Sequence, residues 1–94
     1  MSRAVLDGLT LAYERAGSGD PIVFIHGALI ADVFRPLVTE SALASGHELV
    51  VYHRRGYTGS THAAGALTVA QHAADCRALL RHLGIERTHM VGHS

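Results

Sequence analysis

The chain contains no lysine and no tryptophan, only two prolines and a single cysteine, Cys76, among 94 residues. One cysteine excludes an internal disulfide and the small disulfide-framework class, and it fits a reducing, cytoplasmic setting. Eight arginines balance eight Asp and Glu, for a formal net charge of zero. That leaves no basic excess to attract nucleic acid and no charge block of the kind found in tails or membrane-surface patches. Apolar runs end after a handful of residues, far below the roughly 18 needed to span a bilayer, and MSRAVLDG lacks the apolar core of a signal peptide. A chain of this length makes one domain at most and buries only about 60–65% of its unfolded surface. What is present in quantity is apolar residues, at 48%, with ten glycines and eight histidines.

The apolar residues fall into two kinds of pattern. Leu9 to Arg15 alternates, with Leu9, Leu11 and Tyr13 on one face, as in a half-buried strand. RAVL precedes it through Asp7-Gly8, a pair that tolerates positive φ and suits a hairpin. Ile22 to Ile25 and Leu49 to Tyr52 are apolar without alternation, as parallel strands covered on both faces should be. Between them, Asp32 to Ser45 is long enough for a crossover helix closed by Gly46, although Pro36 unsettles its first turn. A second helix is predicted from a Thr68 cap to Leu83, with Val69, Ala73, Cys76, Leu79, Leu80 and Leu83 on one face and Gly84 at the left-handed C-cap position. On this face Cys76 is a small buried hydrophobe rather than a reactive thiol. Thr88 to Val91 makes the last strand. The fold class is α/β: an N-terminal hairpin followed by parallel strands with crossover helices.

Parallel strands bring their carboxyl ends to one edge, where open α/β sheets bind ligands. Three polar, glycine-containing segments converge there: His26-Gly27-Ala28, HRRGYTGS after Tyr52, and Gly92-His93-Ser94 after Val91. A serine on a sharp turn after a strand, with glycine two positions before it, presents its hydroxyl at the rim as a nucleophile. Acyl transfer also needs two backbone N–H groups aimed at the developing oxyanion. Ala28 is assigned as one donor, supported by His26 and Gly27, with His26 holding the loop rather than acting as base.

Together these segments resemble the α/β-hydrolase family, and the resemblance spans the chain. PIVFIHGA is similar to the family's oxyanion strand and HG turn. VVYHRRGYTGS is similar to its R-G-x-G-x-S loop through Arg55, Gly56 and Ser60. LLRHLGI followed by HMVGHS resembles the approach to the nucleophile elbow formed by Gly92, His93 and Ser94. Two positions depart: Thr58 stands where glycine is usual, and His53 where an acid is common. Both are expected to alter loop shape, not catalysis.

The resemblance implies a serine hydrolase that forms an acyl-enzyme on Ser94, acts on a carboxylic ester or similar small carbonyl compound, and needs no cofactor. It also implies that the triad acid and base, in the order nucleophile, acid, base, belong to later strands. Residues 1–94 are therefore expected to be the N-terminal segment of one hydrolase domain. A second chain or segment would supply the rest, and the 94 residues alone should be inactive. His93 precedes the serine, as is frequent in the family, where it is not the base. Glu48 opens a strand at the wrong end of the sheet, and Asp75 is expected on a surface helix, so neither is a triad acid.

Other readings stay open. A dehalogenase or epoxide hydrolase would carry Asp at position 94. A non-catalytic hydrolase-like binding fragment would leave Ser94 inert. A flavodoxin-like fragment would leave the HG and GHS turns unexplained. Metal binding is disfavoured: His89 and His93 flank a strand and its turn, not a helix, His72 and His82 are too far apart, and no Cys or carboxylate is expected around His47, His53 or His62.

Overall fold

A computed structural model describes residues 1–62 and 65–93. The order is β1 (Ser2–Leu6), β2 (Leu9–Gly17), β3 (Asp20–Ile25), a 3₁₀ turn (Arg35–Thr39), α1 (Ser41–Ala44), β4 (His47–Tyr52), α2 (Val69–His82) and β5 (His89–Gly92). The strands form a sheet in the order β1-β2-β4-β3-β5. β1 and β2 make the expected hairpin; its turn uses positive φ at Gly8 and not at Asp7. β3 runs parallel to both β4 and β5.

In the unbroken apolar runs of β3 and β4, Val23, Phe24 and Leu49 to Tyr52 are buried, and Ile22 and Ile25 partly so, because both faces of the sheet are covered. Alternation sends Val23, Val50 and Tyr52 to one face, where they pack with Ala4, Leu9, Leu11 and, from α2, Cys76 and Leu79. Phe24, Leu49 and Val51 point the other way, against Phe34, Leu37, Val38 and Leu43.

α2 begins where its sequence says it should. The Thr68 hydroxyl accepts from the Gln71 N–H, and the Gln71 side chain accepts from the Thr68 N–H, a complete capping box. It ends with Gly84 in the left-handed region, at φ 74°. Val69 departs from the expected buried face and is 86% exposed. It borders an open groove of about 430 Å³ between α2 and β5, lined also by Ile25, His72, Leu80 and Met90. Among the described residues β5 pairs on one side only, with β3, and its residues are exposed.

The crossover helix expected over 32–45 is instead two short pieces. Pro36 lies in the first turn, and no side chain caps either piece. The Thr39 hydroxyl donates to the Pro36 carbonyl, while the Glu40 N–H goes to Leu37 O in the tighter 3₁₀ pattern. Glu40 is then extended, at ψ 104°, and breaks the run.

Among the described residues no helix is long and apolar enough to cross a membrane. Leu79 is fully buried beneath α2, so Leu79→Ala should lower unfolding stability by about 2–5 kcal/mol in urea titrations. A loss below about 0.5 kcal/mol would contradict this packing.

Candidate active site

The carboxyl ends of β3, β4 and β5 share one rim, and backbone bonds set their spacing. Ile25 and Gly92 are register partners. The His93 N–H then donates to Ile25 O at 3.0 Å, one step beyond the strand. The HG turn and the segment leading to Ser94 thus leave the sheet side by side. Ser94 itself lies outside the described residues.

His26 is buried at the base of the turn. Its Nε2 accepts the Arg54 N–H at 2.9 Å, which puts the ring proton on Nδ1, donating to Gly27 O at 2.7 Å. The ring stands edge-on to Tyr57, with centroids 4.6 Å apart. Burial pushes its pKa below 6.5, assisted by the positive charge of Arg54 and opposed by the Gly27 bond. A neutral ring with both nitrogens engaged ties the turn to the loop after β4 and has no free lone pair for base work. Ala28 is exposed, and its amide has no acceptor among the described residues. Gly92 ends β5, and the His93 ring lies 6.2 Å from Phe34, edge-on.

The loop after β4 is held from three sides. The Ser60 hydroxyl accepts from the Ala12 N–H and donates to His53 O. Thr61 exchanges bonds with Thr10. Arg55 grips Asp75 through two bonds of 2.9 Å each. Asp75 is therefore buried, at 6% exposure, and not on the surface of its helix as the sequence implied. Apolar periodicity could not show this, because a paired carboxylate takes a core-facing position that pattern reading reserves for hydrophobes.

His53 corrects a second expectation. It is buried, with Nε2 2.6 Å from Asp32 Oδ1, Thr58 Oγ1 2.8 Å from Nδ1, and the Gly59 N–H 3.2 Å from Nδ1. A carboxylate does face this histidine. The signal for it was the pair of departures at 53 and 58, which the fold brings into contact. A side chain at Gly59 would come within 2.8 Å of Ala12 Cβ, so that position stays bare.

Cys76 is buried, and burial pushes its thiol pKa up, so it stays a packed thiol. Glu48, at the opposite end of β4, pairs with Arg15. Among the described residues, no three His, Cys, Asp or Glu side chains converge as a metal site would require.

A mixed sheet with this connectivity and this rim defines a hydrolase-type α/β domain. Residues 20–94 match the family model described as alpha/beta hydrolase fold, and the chain belongs to that family. A non-heme haloperoxidase from Rhodococcus erythropolis is 31% identical over 88 residues, covering 94% of this chain and 32% of that protein. Fluoroacetate dehalogenase from a Burkholderia species is 35% identical over 82 residues, covering 82% of this chain and 27% of that one. The structure of a thermophilic esterase from Thermogutta terrifontis superposes with a TM-score of 0.88 at 24% identity, across 100% of this chain and 37% of that one, a likeness of fold. The chain spans about a third of the length of the relatives it matches.

Two outcomes are expected here. Arg55→Ala strands a buried carboxylate; because Arg55 itself is partly exposed, the loss should be on the order of 2 kcal/mol, below that of a fully buried pair. Urea unfolding measures it. The depressed pKa of His26 means that the unfolded chain binds the proton more readily. Its contribution is therefore complete above pH 6.5 and is lost as pH falls from there toward the lower folded value. His26→Asn should flatten that acid slope; an unchanged slope would assign it to other groups, of which His72, also depressed by burial, is the first candidate.

Proposed function

We propose that this segment carries the nucleophile and one oxyanion donor of a serine hydrolase acting on a carboxylic ester or related small carbonyl compound. The observation that supports this most is the 3.0 Å bond from the His93 N–H to Ile25 O, which runs the post-β5 segment alongside the HG turn. A hydroxyl at position 94 then follows directly from a residue whose neighbour in space is the turn bearing the unpaired Ala28 amide. Serine, rather than a carboxylate, at 94 favours acyl transfer over the carboxylate-nucleophile chemistry considered above.

In this reading the Ser94 hydroxyl attacks the carbonyl carbon and gives its proton to a histidine from the remainder of the domain. The oxyanion takes the Ala28 N–H and a second donor from the residue after the serine. Collapse expels the alcohol, which takes the proton, and water repeats the sequence to release the acid. His26 and His93 take no proton in either half. The one-sided pairing of β5 and the open groove beside α2 fit a domain completed by further sequence. Right-handed crossovers would put the next helix over that groove and the next strand beside β5. By itself the segment should be inactive.

The second reading, a hydrolase-like binding fragment, is separated by one experiment on the complete polypeptide. A fluorophosphonate probe should add its mass at Ser94, and Ser94→Ala should abolish labelling and lower ester turnover by on the order of 10⁶-fold, as loss of a triad serine does elsewhere. Absence of label on the intact, folded protein would refute the catalytic reading.

A further inference from the structure

We propose that His53 is a positioning residue for the turn that carries Ala28, acting through Asp32; the catalytic side of this inference rests on the hydrolase reading above. The Gly59 N–H points at His53 Nδ1, so Nδ1 is the acceptor nitrogen and the ring proton sits on Nε2. That proton faces Asp32 Oδ1 at 2.6 Å. The ring is buried, its side chain 7% exposed, and Thr58 Oγ1 at 2.8 Å gives Nδ1 a second partner. It cannot swing away to follow the loop.

The consequence lies in where the two tethers fall. His26, at the start of residues 26–32, is bonded to the Arg54 N–H, and Asp32, at the end, is bonded to His53. Adjacent residues after β4 thus hold both feet of one arch. The arch has little else to hold it. Its apex carries Leu29 at 95% and Ile30 at 60% exposure, so apolar packing does not fix its shape. Asp32 also lies 4.0 Å from Arg35 and Arg35 reaches Glu14, but both contacts are at the surface. Such exposed pairs hold geometry weakly. Ala28 sits within the arch, and a donor misplaced by about 1 Å forfeits much of its effect. His53 and Thr58, the two departures from the family pattern, therefore act as one unit: the Gly59 amide sets the tautomer, the Thr58 hydroxyl adds a second bond to the same nitrogen, and the tautomer sets the bond to Asp32.

Asp32 is half exposed, so it can be changed without opening the core. In the complete polypeptide, Asp32→Ala should lower kcat for p-nitrophenyl acetate by roughly 10- to 100-fold with KM little changed. It should speed amide hydrogen exchange at residues 27–31 and lower the melting temperature only slightly, because water can reach the half-exposed position that Asp32 leaves. Asp32→Asn keeps an oxygen acceptor and should restore both kcat and exchange protection. The proposal is overturned if Asp32→Ala exchanges and turns over like the parent, or if Asp32→Asn is as impaired as Asp32→Ala. If the parent shows no Ser94-dependent turnover, it is the hydrolase reading that fails. The exchange comparison alone then decides whether the tether holds the arch.

Discussion

Everything at the rim depends on β3 being hydrogen-bonded on both sides. Its parallel registers, Phe24 with Val51 and Ile25 with Gly92, fix how far each neighbouring strand runs before its loop departs. Alternating side chains of the same strand anchor both layers: Val23 under α2, and Phe24 beneath Phe34 and Leu37. A slip of one residue would exchange those faces and separate the HG turn from the post-β5 segment. The dense packing of β3 and β4 is thus also what sets the geometry of the candidate site.

Around that frame, polar chemistry does what packing cannot. The loops after β3 and β4 carry little regular structure; the second is bonded within itself and to β2, and two histidine bonds join it to the first. Two histidines hold them together using opposite tautomers, His26 protonated on Nδ1 and His53 on Nε2, each dictated by a backbone N–H aimed at the other nitrogen. Both rings are buried, and both nitrogens of each ring have a partner. The Arg55–Asp75 pair extends the same logic to α2 by tying the loop to the helix that covers the sheet.

Much of this was legible from residues alone. Period-two alternation in β2, unbroken apolar runs in β3 and β4, and the Thr68 and Gly84 boundaries of α2 are local signals, and local signals suffice where backbone preference and burial agree. The apolar spacing of residues 32–45 is helical and predicts one helix, yet Pro36 and the Thr39 hydroxyl divert the backbone hydrogen bonds. Asp75 and His53 escape such patterns for another reason. Each is charged or titratable and each is buried by a partner far away in sequence, which no windowed pattern can reveal.

By itself, then, the sequence determined the fold class, the strand order along the chain and the three glycine-bearing segments gathered at one edge, because these follow from periodicity and from the handedness of parallel connections. Only the tertiary structure decided which nitrogen of each histidine carries its proton, that Asp75 is buried against Arg55, and that Asp32 is bonded to His53. Those outcomes rest on contacts between loops distant in sequence. Contacts of a few ångströms exist only once the sheet has set the loops' positions.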